Sequence, residues 1–110
     1  VNYARVLYDP EVLALVRLAI GENHARPDLG RLYFVSGPER ARQGMVAIFE
    51  ELTARGELTI PDARLAADQF LALLQPQRFY VLLDPDLCPD SAEIARVARS
   101  GVDLFLTRYA

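Results

Sequence analysis

Apolar residues recur every three or four positions along almost the whole chain, and no stretch alternates apolar and polar residues long enough to predict a strand. A helical pattern is already present at Tyr3, Val6 and Leu7, the first residues of the chain. A second pattern follows Asp9, a residue type that caps helices, and Pro10, which is favoured in the first helical turn. The sequence therefore predicts an all-α fold and suggests that the chain is a fragment whose upstream part is missing.

Prolines, glycines and capping residues, among them the stop at Gly56 and the caps at Asp62 and Asp90, divide the pattern into about five main helices. The predicted ranges are about 10–25, 28–35, 39–55, 63–74 and 91–109, with a shorter helical piece at 79–83 inside a proline-rich segment. The helices at 63–74 and 91–109 are apolar on more than one side, and a chain of this length has one core to cover them. We therefore expect a partner to cover their outer faces.

The charge and cysteine content exclude several classes of protein. All 12 basic residues are arginines, and they are scattered among 15 acidic residues for a net charge of -3, so the chain has no electrostatic footprint for nucleic acid. Cys88 is the only cysteine, which excludes an internal disulfide and a cysteine-rich metal site. No apolar run approaches the roughly 18 to 20 residues of a membrane span, and no signal-peptide pattern opens the chain. We expect a cytoplasmic protein with no membrane partner.

Residues that could carry catalysis or bind a metal are few. His24 is the only histidine, and its separation from Cys88 matches no metal-ligand spacing. Ser36 and Ser91 lie at predicted helix boundaries, where hydroxyl groups commonly cap backbone donors. The sequence therefore predicts no catalytic residue, no metal and no cofactor.

A small-molecule site in a protein is commonly a mostly apolar cavity with a few polar groups. Residues on the inward faces of the predicted helices are candidates for its wall, and Arg17 and His24, on one helix face, for its polar end. The predicted pocket residues are Val16, Arg17, Ile20, His24, Met45, Phe49, Phe70 and Leu74. The alternative is that the apolar members are plain core and the polar ones are solvated or ion-paired. For Glu22 and Arg26, four residues apart, we expect a surface ion pair.

The last helix carries small residues that would allow a neighbouring helix to approach closely. One of them, Gly101, costs roughly 1 kcal/mol of helix propensity relative to alanine, which indicates a packing reason for its presence. The predicted dimer-interface residues are Leu65, Ala72, Ala95, Ala98, Gly101, Val102, Phe105, Leu106 and Tyr109.

Several motifs occur in a characteristic order over almost the whole chain. Residues 10–29 match the pattern PExLALxRLxIxExxRxPxL, except that its second arginine falls on Ala25, one place before Arg26. The stretches "ARGEL" at 54–58, "AADQFLALL" at 66–74 and "DLFLTRY" at 103–109 follow it. In these motifs the sequence resembles the C-terminal effector-binding and dimerisation domain of TetR-family transcriptional regulators.

This resemblance implies a homodimer in which the last two long helices of each subunit form a four-helix bundle. It also implies a cavity for a small, mostly apolar effector and an N-terminal helix-turn-helix domain, absent from these residues, that binds operator DNA. Residues 1–110 would then be the sensing domain of a repressor that the effector releases from DNA. The alternatives are a stand-alone dimeric scaffold module, which predicts a dimer without a ligand cavity, and a small enzyme.

Overall fold

The computed structural model describes residues 2–110, and over this range the chain forms seven α-helices and one short 3-10 helix, with no strand. In chain order the helices are α1 (Asn2–Leu7), α2 (Pro10–Gly21), α3 (Pro27–Ser36), α4 (Pro38–Ala54), α5 (Ala63–Leu74), α6 (Arg78–Leu83) and α7 (Ser91–Tyr109). The 3-10 helix covers Pro85–Leu87. These elements confirm the all-α prediction, and α6 confirms the short helical piece expected inside the proline-rich segment.

Local sequence signals explain where the long helices begin and end. The carboxylates of Asp9, Asp62 and Asp90 each accept a hydrogen bond from a backbone N–H in the first turn of the helix that follows. After α4, Gly56 takes a positive φ of 78°, a conformation that side chains disfavour and glycine tolerates. The predicted caps and this predicted stop are therefore confirmed.

The turn after α2 differs from the prediction, because the helix ends before residue 25. Pro27 disfavours a helical conformation in the residue before it, Arg26, whose φ is -133° and ψ is 70°, but this constraint does not reach Glu22, where the helix ends. The backbone N–H of Arg26 still donates to the carbonyl oxygen of Glu22, but the Arg26 guanidinium pairs with Asp28 and not with Glu22, at 2.9 Å between Nη2 and Oδ2. Hydrogen bonding from Arg26 lowers the pKa of the Asp28 carboxyl.

The core has two parts, and Phe70 packs against both of them. The first part joins α1, α2, α5, α6 and α7 through the buried residues Ala4, Leu7, Tyr8, Leu13, Leu74, Val81, Ile94 and Ala98. The second joins α4, the segment after it, α5 and α7 through Phe49, Leu58, Ile60, Ala66, Ala67, Phe105 and Tyr109. Since α5 contributes to both parts and packs against α4 and α7, it is the central helix of the fold.

The subunit is flat, with extents of 46 × 32 × 17 Å. An α-helix with its side chains is about 10 to 12 Å across, so a body of this thickness leaves one face of many helices at the surface. Exposed apolar residues on α5 and α7 are a consequence, among them Leu65 and Leu104. No helix within residues 2–110 combines the length and the apolarity that crossing a bilayer requires.

Candidate ligand-binding site

A partly open cavity of about 590 Å³ lies between the first six helices. Small-molecule sites in proteins commonly measure about 300 to 1,000 Å³ and are mostly apolar with a few polar groups, which describes this cavity. Its lining residues are Tyr3, Val6, Leu7, Val12, Leu15, Tyr33, Phe34, Ser36, Gly37, Pro38, Glu39, Ala41, Arg42, Asp68, Leu71, Ala72, Gln75 and Arg78.

Arg78, the first residue of α6, is half-buried in the cavity wall and is held there by two hydrogen bonds. Its Nε donates to the carbonyl oxygen of Leu7 at 2.8 Å, and its Nη2 donates to the hydroxyl of Tyr33 at 3.2 Å. Burial raises the pKa of Tyr3, while the positive charge of Arg78 opposes that rise. One region of the wall therefore combines a guanidinium with two phenol groups.

Arg42 joins α4 to α5 elsewhere in the wall of the same cavity. Its guanidinium lies between two carboxylates, with Nη1 at 3.3 Å from Oε2 of Glu39 and Nε at 3.0 Å from Oδ1 of Asp68. Nη2 also donates to Oδ2 of Asp68 at 3.0 Å. Both carboxylates of the cavity wall are thus paired with Arg42.

None of the residues predicted for the pocket lines this cavity. Val16, Phe49 and Leu74 are buried core residues, and Met45 and Phe70 pack against the core. Ile20 and His24 are exposed, His24 in the turn that follows α2. Helical periodicity identifies which residues face inward, but an inward face meets either packed side chains or an open cavity, and the pattern is the same for both.

Arg17 faces inward as predicted, but it binds backbone rather than lining the cavity. Its Nη2 donates to the carbonyl oxygen of Val81 at 2.8 Å, and its Nε donates to that of Leu82 at 3.1 Å. These carbonyls belong to the C-terminal end of α6, where a positive charge also interacts favourably with the helix dipole. Arg17 therefore fixes α6 against α2.

The Arg17→Met variant is expected to lose about 1 to 2 kcal/mol of unfolding free energy, because methionine keeps apolar contacts but donates no hydrogen bond to the α6 carbonyls. Urea unfolding followed by circular dichroism measures the loss. Arg31→Met is the control, since Arg31 is exposed on α3, and we expect it to change stability by less than about 0.5 kcal/mol. Equal stability of the two variants would contradict the role assigned to Arg17.

A second apolar surface, the α5/α7 outer groove, lies along α5 and α7. The residues lining it are Gln69, Ala72, Leu73, Pro76, Leu104, Phe105, Arg108 and Tyr109. Leu104 is 59% exposed, and Leu65, one turn before Gln69 on α5, is 50% exposed. Two adjacent helices thus present apolar side chains that the chain itself does not cover.

The residues predicted for a dimer interface divide into two groups. Leu65, Ala72 and Leu106 are exposed and Val102 is half-exposed, whereas Ala95, Ala98, Gly101, Phe105 and Tyr109 are buried within the subunit. A Cβ added at Gly101 would lie 2.8 Å from the carbonyl oxygen of Leu73. The close approach that Gly101 allows is therefore made by α5 of the same chain.

Sequence reasoning missed the residues of this cavity, among them Arg78, Tyr33 and Tyr3. One signal was present, because Arg78 stands in the apolar stretch "RFYVLL", and a guanidinium among apolar residues needs polar partners when it is buried. Tyr3 and Tyr33 carried no such signal, since aromatic residues at helical spacing are ordinarily core.

Comparison with known proteins agrees with this fold. A family model described as the C-terminal domain of AefR-like transcriptional repressors matches residues 1–110. A protein from Mesorhizobium loti MAFF303099 assigned to the TetR family of transcriptional regulators has 31% sequence identity and a TM-score of 0.92, over 99% of this chain and 55% of that one. The flavonoid-responsive regulator FrrA has 26% identity and a TM-score of 0.83, over 97% of this chain and 55% of that one. No curated protein shows significant similarity.

The match to the family model extends over all the residues of the chain, and the chain spans about half the length of the two solved regulators. The matched family and both solved proteins are described as transcriptional regulators, not as enzymes. The chain belongs to the TetR family of transcriptional regulators, as an AefR-like C-terminal domain.

Proposed function

We propose that residues 1–110 form the effector-binding and dimerisation domain of a TetR-family repressor, whose DNA-binding helix-turn-helix domain lies outside this sequence. A small, mostly apolar effector binds in the cavity and releases the full protein from operator DNA. The observation that carries this proposal is that α1 supplies part of the cavity wall, through Tyr3, Val6 and Leu7. A ligand in the cavity therefore contacts the helix nearest to the N-terminal side of the domain.

The mechanism follows from differential binding. An effector that contacts α1 and binds one orientation of this helix more tightly than another shifts the population toward the first. In a dimer, a change in the orientation of α1 changes the separation of two DNA-binding domains joined to it. Because operator half-sites have a defined spacing along the duplex, a changed separation weakens DNA binding.

The cavity is tested by thermal shift with a panel of small aromatic and aliphatic compounds. Naringenin is a suitable member of the panel, because the related FrrA is described as flavonoid-responsive. A ligand at about 100 times its Kd stabilises the folded state by about 2.7 kcal/mol, which gives a measurable rise in Tm.

The Ala41→Trp variant is expected to abolish the Tm rise caused by any active compound, because Ala41 lines the cavity and an indole at this position occupies its volume. Ala47→Trp is the matched control, since Ala47 is exposed on the same helix α4 and does not line the cavity. If Ala41→Trp responded to the compounds as fully as Ala47→Trp, the ligand would bind elsewhere. A dimer that no compound stabilises would favour the scaffold hypothesis.

Dimerisation is proposed to occur through the α5/α7 outer groove, where α5 and α7 of two subunits form a four-helix bundle. Support comes from the apolar residues exposed there, and Leu65 and Ala72 are the residues of α5 that we place at this interface.

The Leu104→Arg variant is expected to convert the dimer to a monomer, because it places a charge in the centre of an apolar contact. Size-exclusion chromatography with light scattering measures the mass. Leu83→Arg is the control, since Leu83 is an equally apolar and exposed residue, on α6, outside the groove. A dimeric Leu104→Arg protein would place the interface on another face.

A further inference from the structure

We infer that the effector is a carboxylic acid with an apolar body, and that its carboxylate pairs with Arg78. This inference rests on the proposed function of the cavity and specifies the chemistry of its ligand. Four charged residues line the cavity, namely Glu39, Arg42, Asp68 and Arg78. How their charges are paired decides which kind of ligand the site favours.

The pairing leaves one positive charge free. Both carboxylates contact Arg42, within 3.3 Å or less, and Oε1 of Glu39 also lies 3.9 Å from Nη2 of Arg64, so two guanidinium groups balance the two carboxylates. The ion pairs formed within residues 2–110 leave Arg78 without a carboxylate partner, and its two hydrogen bonds go to the neutral acceptors Leu7 and Tyr33. A guanidinium that is partly removed from water without a counter-ion is costly, and an anionic ligand offsets that cost.

The geometry of Arg78 also suits a carboxylate. The guanidinium has more N–H donors than the two used by Leu7 and Tyr33, so donors remain for a ligand. Charge-assisted hydrogen bonds from a guanidinium to a carboxylate are about twice as strong as neutral ones and fit its planar fork. Because the protein contacts already fix the orientation of Arg78, a ligand loses little affinity to ordering the side chain.

Other parts of the cavity wall are apolar, with Val12 and Leu15 from α2, Phe34 from α3 and Leu71 from α5. These residues would cover the hydrocarbon part of the ligand. The carboxylate would then lie beside Leu7, the last residue of α1, whose carbonyl oxygen already accepts a hydrogen bond from Arg78. A bound acid therefore contacts the same group that holds the end of α1.

The test compares 2-naphthoate with 2-naphthamide, two probes of nearly equal shape that differ in charge. Isothermal titration of the 110-residue chain is expected to show naphthoate binding about tenfold more tightly than naphthamide at low salt, with the preference falling as salt is added. In Arg78→Gln the two probes should bind with nearly equal affinity, whereas Arg78→Lys keeps the charge and should keep part of the preference.

Arg17→Gln is the matched control, because Arg17, like Arg78, donates two hydrogen bonds, in this case both to backbone carbonyls, but does not line the cavity. The preference of this variant for naphthoate should equal that of the unaltered chain. If Arg78→Gln is unstable, the Arg78→Lys variant and the salt dependence carry the test. Equal affinities of the two probes for the unaltered chain would contradict the inference that the effector is a carboxylic acid. A preference for naphthoate that remains in Arg78→Gln would contradict it as well.

The same result separates this inference from the proposed function. If neither naphthalene probe binds but a compound without a carboxylate gives a Tm rise that Ala41→Trp abolishes, the inference of an acidic effector is wrong and the cavity is still the ligand site. If no compound binds at all, both the inference and the sensing function are wrong.

Discussion

Replacing Gly101 with valine is expected to lower the free energy of unfolding by about 3 kcal/mol or more. A Cβ at this position would lie 2.8 Å from the carbonyl oxygen and 3.1 Å from the Cβ of Leu73. Backbone atoms of a central helix cannot move aside as the end of a side chain can, so α5 and α7 must separate along their contact. The separation also loosens the core around Phe105, which lies one turn further along α7.

Gly44→Val is the matched control for this prediction. Gly44 lies within α4, and a Cβ added there meets nothing within 4 Å. Valine has a better helix propensity than glycine, so this variant should be neutral or stabilised by a few tenths of a kcal/mol, about 0.5 at most. Urea unfolding of both variants measures the difference, and similar stabilities would show that α7 does not need glycine for contact with α5.

Replacing Phe105 with alanine is expected to cost about 3 to 5 kcal/mol, the usual range for removing a buried aromatic ring. Phe105 is 3% exposed and is the centre of an aromatic cluster. Its ring stacks on Phe49 with centroids 5.0 Å apart, meets Phe70 edge to face at 5.2 Å, and lies 4.8 Å from the ring of Tyr109. Removing it leaves a cavity between α4, α5 and α7 and removes aromatic contacts worth about 0.5 to 1.5 kcal/mol each beyond area burial.

The control for Phe105 is Phe79→Ala on α6. Phe79 is 65% exposed, so the same change in composition removes little buried surface and should shift stability by about 0.5 kcal/mol or less. Thermal and urea unfolding of the two variants give the comparison. A Phe105→Ala protein as stable as Phe79→Ala would mean that the aromatic cluster is not part of the stabilising core.

The helices were largely predictable because their signals are local. An aspartate before each of α2, α5 and α7 accepts hydrogen bonds from the first turn of its own helix, and Gly56 supplies the positive φ after α4. The end of α2 was predicted less well. Pro27 constrains only the residue before it. The residue at which the helix ends and the turn begins depends on weaker contacts between residues 21 and 26.

The cavity could not be predicted in the same way. Phe49 and Phe70 were correctly identified as inward-facing, but the structure places them in packed core and not at the cavity. Arg17 and Arg78 are both arginines with apolar neighbours, and both donate to backbone carbonyls. Only the arrangement of α1, α3 and α6 puts Arg78 at the cavity and Arg17 away from it.

The sequence by itself determined the all-helical class, the helix starts, the inward direction of Phe49 and Phe70 and the family, because each depends on the period and order of residues along the chain. The tertiary structure decided which inward faces meet a cavity, which guanidinium of the cavity wall has no carboxylate partner, and which helix approaches Gly101. These properties depend on distances between residues far apart in sequence. Such distances follow from how the helices pack against one another, and a local sequence pattern does not predict them.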